Sequence, residues 1–175
     1  MDTLEAIEKR YCYRGEYETT TIDRTTLEKI VHAGIRAPSG YNSQTTSFVI
    51  VDDVELVAKV AEILAKPKLA TSPALIACVA DHRVEHNGMQ FAVEDCAAAV
   101  ENILLAMTAL GYSGVWLDGA LRREGRAEAI GRLLGVPEDL QVRVLIPVGV
   151  PKNPGVPSER KPFEDRAWFN RYREC

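Results

Sequence analysis

The 175 residues contain no apolar run of the roughly 18–20 residues that a membrane-spanning helix needs. Their formal net charge of −4 leaves no global basic footprint for nucleic acid, so an anion would have to be held by a local cluster. No Walker loop, no G-x-G-x-x-G opening a helix and no G-x-S-x-G elbow is present. The four cysteines, at 12, 78, 96 and 175, have no C-x-x-C spacing. Cys78 and Cys96 lie inside apolar stretches, which suits reduced thiols better than a disulfide. The start, MDTLEAIEKR, is acidic and amphipathic and has no signal-peptide apolar region. These absences predict a cytoplasmic protein with neither membrane nor nucleic acid as partner. Of the three histidines, His82 and His86 are four apart in HRVEH, a metal-pair spacing on a helix. The segment reads instead as a polar connection without a third ligand, so no metal is expected. His32 lies beside an apolar helical stripe and reads as a partly buried packing residue.

Apolar content of 46% and charged content of 26% suit one globular domain spanning 1–175. Leu4 and Ile7 mark a short first helix. Leu27, Ile30, Val31, Gly34 and Ile35 follow helical spacing over 25–35, Thr25 and Glu28 fit a capping box, and Pro38 ends the run. A strand follows at 47–52, and a helix from Val57 to Leu64 ends near Pro67. A buried strand occupies 74–80. The longest helix runs over 89–110, apolar nearly all round after Cys96, with Gly111 as terminator. Further strands are predicted at 112–117 and 142–150, with a helix over 125–135 between them. Strands apolar on both faces, alternating with helices, argue for α/β or α+β layers around a covered sheet. The proline-rich tail from Pro151 reads as an extended surface segment.

The stretch APSGYNSQTT poses the functional question. It places Ser39, Gly40, Asn42 and Gln44 at the mouth of a strand, where a two-residue turn would serve. Polar loops held between rigid elements are common binding sites. Cations cluster at Lys9, Arg10 and Arg14 around RYCYR and again at Arg160 and Lys161. Two such groups could converge on a phosphate, because guanidinium offers paired donors; spacing alone favours a solvated charged surface. Cys12 among arginines and tyrosines could be a lowered-pKa thiol, but backbone positioning is the simpler role. Leu117, Asp118 and Gly119 fall at a strand end, where open sheets bind ligands or merely turn. Glu94 and Asp95, adjacent on the long helix, point apart, so one of them is expected to bond a neighbouring segment.

Four stretches in this order, RYCYR, APSGYNSQ, DCAAAVENILLAMTALGYSGVWLDG and IPVGVPKNPGVPSERKP, resemble the nitroreductase family in its short form. Singly each is weak; as an ordered set they are specific. The resemblance implies an α+β, three-layer α/β/α nitroreductase-like fold, an intertwined homodimer with the long helix in its core, and FMN at the interface. It also implies hydride transfer from NAD(P)H to a small conjugated acceptor, nitroaromatic or quinone, by a ping-pong route. Hydride chemistry then resides in the flavin, and no side chain is called catalytic.

The family's Arg-Arg-Ser-x-Arg motif falls on Arg10, Tyr11, Cys12, Tyr13 and Arg14. Arg10 then faces the FMN phosphate and Arg14 the pyrimidine side of the ring. Its Pro-Ser-x-x-Asn-x-Gln falls on Pro38, Ser39, Asn42 and Gln44, with Gly40 in the same cradle. Trp116 to Gly119 would lie against the ring, the Asp118 N–H meeting N5. Arg160 is the second phosphate arginine, with Lys161 beside it. Tyr11 and Cys12 stand where the family has arginine and serine, and Gln44-Thr45-Thr46 where it has Gln-Pro-Trp. The stretch from Lys66 to Gln90, where the family varies its acceptor pocket, is short. Two rival readings share these residues: flavin destruction or dehalogenation on the same fold, and a flavin-binding sensor without turnover.

Overall fold

The computed structural model describes residues 1–173; Cys175, the fourth thiol of the sequence reading, lies outside them. In chain order the elements are α1 (Thr3–Lys9), α2 (Arg24–Ile35), β1 (Thr46–Val51), α3 (Val54–Ile63), β2 (Ala74–Ala80), α4 (Ala92–Ala109), α5 (Arg126–Leu133) and β3 (Gln141–Val148). The strands form an antiparallel sheet in the order β1-β2-β3. Because strand side chains alternate between faces, β2 divides its residues. Ile76 and Cys78 join Val100, Ile103 and Met107 of α4 and Leu27 and Ile30 of α2. Leu75, Ala77 and Val79 join Val57 and Val60 of α3 and Ile130 of α5. The result is the expected three-layer α+β architecture, with every residue of β2 buried.

α2 begins earlier than the capping-box reading allows. Its N-cap is Asp23, whose carboxylate accepts from the Thr26 N–H at 2.8 Å and the Thr26 hydroxyl at 2.7 Å. A carboxylate outcompetes a threonine hydroxyl there because it also meets the positive end of the helix dipole. Two further expectations on α2 fail. The buried face is Leu27, Ile30, Val31 and Gly34; His32 lies off that arc and is exposed, and Ile35 is 61% exposed. α4 starts three residues later than expected, because His86 and Met89 pair across a turn at Gly88 before the helix begins. It ends at Gly111, whose positive φ lets the Tyr112 N–H return to the Met107 carbonyl.

The strand expected at 112–117 is broken. Ser113 exchanges hydrogen bonds with Gly149, and Leu117 with Leu145. The position between them on β3 is Pro147, which has no N–H to give Val115, so the ladder opens there. Gly114 fills the close approach this leaves: a Cβ on it would run into the Pro147 carbonyl. The N-terminal segment completes the edge. Cys12 pairs in parallel with Gly114, the Tyr13 N–H reaches the Gly114 carbonyl at 2.8 Å, and Tyr17 pairs with Pro151. Cys12 thus joins this edge through its backbone, and its thiol is exposed.

Candidate functional site

Where the ladder opens, the surface is cut by a cleft of about 250 Å³. Its floor is Val115, Leu117, Pro147 and Leu69; Tyr13 and Tyr17 wall it, and Arg14, Lys66 and Lys68 stand at its rim. No carboxylate lines it, and among the described residues none of those three cations is in an ion pair. An apolar slot with uncompensated positive charge suits a flat ring carrying an anionic group. The Tyr17 hydroxyl is buried without a hydrogen-bond partner among the described residues, and burial raises its pKa well above the ordinary tyrosine value, with the neighbouring Tyr13 and Tyr11 adding to the shift. A larger depression of about 440 Å³, between α5 and the 136–142 connection, contains none of the predicted site residues.

The structure brings Arg14 and Leu117 into one cleft and sends the other candidates elsewhere. Arg10 pairs with Glu101 of α4 at 3.2 Å. Tyr11 packs on Gly155, so the two ends of the chain do cross. Arg160 is exposed, and its guanidinium donates to the Ser158 and Glu159 carbonyls; Lys161 is exposed beside it. Arg10 and Arg160 thus have different neighbours within one chain. The Asp118 carboxylate turns away from the cleft and into Arg122 and Arg143, whose charges hold its pKa below the ordinary carboxylate value, the Arg122 hydrogen bonds contributing most. Gly119 is exposed at the turn that follows.

Pro38, Ser39 and Gln44 line a second depression of about 60 Å³, which shares no residue with the cleft; Gly40 and Asn42 belong to the same loop but do not line it. Tyr41, Asn42 and Gln44 all have positive φ, between 50° and 55°, a strained set for residues with side chains. What holds them is Asp95. Its buried carboxylate accepts from the Gly40 N–H at 2.8 Å and the Thr45 hydroxyl at 2.6 Å. Gly40 must be glycine because a Cβ would meet the Phe91 ring. The Gln44 N–H is taken by the Ser39 hydroxyl at 3.0 Å. The Thr46 hydroxyl, on a residue lining this depression, is buried without a partner among the described residues. The expectation that one of Glu94 and Asp95 bonds a neighbouring segment is met by Asp95.

Among the described residues no group of three metal-ligating side chains converges. His82 bonds Gln141 at 3.0 Å, and His86 stacks on Tyr41 with ring centroids 3.6 Å apart. No described helix is long and apolar enough to cross a membrane. Sequence reasoning missed Lys66 and Lys68. The signal was available, since AKPKL is a cation pair in a proline-broken connection, like the one noted at Arg160 and Lys161.

Comparison with known proteins agrees with this fold. The chain is 37% identical over 139 residues, 78% of its length and 79% of the relative's, to a protein of Archaeoglobus fulgidus named "Putative NADH dehydrogenase/NAD(P)H nitroreductase". It is 34% identical over 158 residues to one of the same name from Methanothermobacter thermautotrophicus, covering 89% of this chain and 81% of that one. Among solved structures, one of that name from Bacteroides thetaiotaomicron superposes with a TM-score of 0.85 at 27% identity, covering 97% of this chain and 98% of that one. A nitroreductase family protein from Clostridium novyi superposes at 0.76 with 32% identity over 87% of each chain. The family model named for nitroreductases matches residues 7–75 and 64–150, the span that holds the cleft, the Asp95 clamp and all three layers, and the chain belongs to the nitroreductase family.

Proposed function

We propose that this protein is an FMN-dependent oxidoreductase that takes reducing equivalents from NAD(P)H and delivers them to a small conjugated acceptor, nitroaromatic or quinone, in ping-pong order. The observation that carries the reading is the cleft of Arg14, Lys66 and Lys68, three unpaired cations around an apolar floor. The donor assignment follows relatives named NAD(P)H nitroreductases. The residues fit the cofactor. The floor is apolar, the charge is positive, and a buried hydroxyl without a partner among the described residues lies in each depression, Tyr17 in one and Thr46 in the other.

When bound, FMN supplies the two-electron chemistry. The chain's residues place it and set its electrostatics. Arg14 and the two lysines put positive potential where negative charge grows on reduction. The Asp118 N–H would be the donor offered to N5. Arg10, Arg160 and Lys161 would hold the phosphate, with the Tyr11 and Cys12 backbone beside them. Arg10 would have to leave Glu101, its present partner, to do so.

The loop of Pro38, Ser39, Gly40, Asn42 and Gln44 comes from a second copy of the chain. Two observations support that homodimer. The two depressions are separate within one chain. Leu4, Ile7 and Leu110 stand 72%, 49% and 46% exposed around α1 and the end of α4, an apolar face of the kind a partner covers.

The test is spectroscopic. Purified protein should be yellow, should bleach anaerobically with NADH or NADPH, and should recover colour on addition of a quinone without a ternary complex forming. The rival reading is a sensor that binds flavin without turnover, and yellow protein that fails to consume NAD(P)H steadily with a quinone would favour it over the enzyme.

A further inference from the structure

Residue 118 is held from more directions than a turn requires. Leu117 exchanges both backbone hydrogen bonds with Leu145 at 2.9 Å, and the Asp118 carbonyl accepts from the Leu121 N–H at 2.9 Å. The carboxylate accepts from Arg122 Nε at 2.7 Å and Nη2 at 2.6 Å, and from Arg143 Nη1. Arg143 reaches it because of an irregularity in β3. Cys78 pairs with Val144 and Val79 with Val142, so Arg143 is an extra residue with no partner on β2. Bulges of this kind re-aim one side chain. Here it is an arginine whose side chain is only 16% exposed, spent on an aspartate that is 19% exposed.

The bonds of Leu117 to β3 turn the next N–H to the opposite edge. Gly114 further along that edge is taken by Tyr13, but among the described residues no protein acceptor meets the Asp118 N–H.

We infer that Arg143, set by the β3 bulge, is a positioning residue that works through the Asp118 carboxylate to fix the 118–119 backbone beside the cleft, with Arg122 as its second anchor. This rests on the cofactor reading above. A fixed N–H donor at N5 favours oxidised over reduced flavin, because oxidised N5 accepts and reduced N5 carries its own proton. Loosening residue 118 should therefore weaken oxidised FMN more than reduced FMN and raise the midpoint potential.

Charge alone would act differently, and two variants separate the effects. Arg143→Met removes a positive charge near the ring, and Asp118→Asn removes a negative one, yet both release the clamp. The experiment measures FMN dissociation constants in both redox states and the midpoint potential for wild type, both variants and Arg143→Lys. Melting temperature and amide exchange of the 115–121 segment are followed in the apoproteins. We expect both Arg143→Met and Asp118→Asn to shift the ratio of the two dissociation constants by about tenfold in the same direction, about 30 mV for a two-electron couple. Faster exchange of 118–119 should accompany the shift, and Arg143→Lys should recover part of it. Opposite shifts in the two variants would reduce the clamp to a charge effect and overturn the inference. So would unchanged ratios and exchange in variants of a wild type that binds FMN. A wild type that ignores FMN would fail the cofactor reading itself.

Discussion

Replacing Asp95 with alanine should damage the protein more than any surface acid, and the structure sets the size. The carboxylate is 4% exposed and accepts two hydrogen bonds, from the Gly40 N–H and from Thr45, itself 5% exposed. Hydrogen bonds to a charged partner are worth about 1.5–3 kcal/mol each, and orphaned buried donors keep their desolvation penalty. The loop can relax enough to wet Gly40 but not the buried Thr45, so the expected loss is about 3 kcal/mol rather than the full sum. At roughly 2–4 °C per kcal/mol for a chain of this size, the melting temperature should fall by roughly 6–12 °C.

Three strained residues, Tyr41, Asn42 and Gln44, are released with it, so chain exchange in 38–45 should rise before the rest of the molecule loosens. The assay is urea unfolding at one fixed protein concentration, run as a double-mutant cycle with Thr45→Val. The two changes should couple by about 1–2 kcal/mol, since each removes the other's partner. Strict additivity, or a loss below about 0.5 kcal/mol for Asp95→Ala, would refute the clamp.

Other consequences are as direct. Arg10→Ala combined with Arg160→Ala should weaken FMN binding tenfold or more, at about 1.5–3 kcal/mol per charge-assisted contact, while the fold persists; wild-type affinity by fluorescence titration would return both arginines to the solvated surface. Gly114→Ala should destabilise by about 2–3 kcal/mol through overpacking against the Pro147 carbonyl, and an unchanged denaturation midpoint would contradict the close approach. Asp81, held at about 2 by the Arg83 guanidinium and backbone N–H, has a depressed folded pKa. Its contribution is complete above the unfolded value near 3.8 and is lost as pH falls through about 2. An NMR titration should find that midpoint in wild type and a normal one in Arg83→Ala; a wild-type midpoint near 4 would contradict it.

The sequence was most legible where a local pattern meets a local cause. β2 is read to the residue because seven apolar residues between Pro73 and Asp81 can only be a buried strand, and the end of α2 is set by Pro38. Legibility fell where distant groups decide. The 112–117 strand has the right composition, but its pairing is broken by a proline thirty residues on. His32 and Ile35 lie close enough to the apolar stripe to be counted into it, and only the packing of α4 shows which arc is covered. In the site, Arg14 and Leu117 were found and do share a cleft. Lys66 and Lys68 were passed over because nothing local ties that connection to the N-terminal motif. The polar loop was recognised, yet its rigidity comes from a carboxylate about fifty residues away and not from its flanking helix and strand alone.

The central claim is that two copies of this chain enclose flavin between the cationic cleft of one and the Asp95-held loop of the other. Its most direct measurement is the molar mass and flavin content of the protein, taken together by light scattering and visible absorbance across one chromatographic peak after incubation with FMN. The account predicts a dimer carrying two flavins. A monomer that retains one FMN with full affinity, or a dimer that elutes colourless, would contradict it.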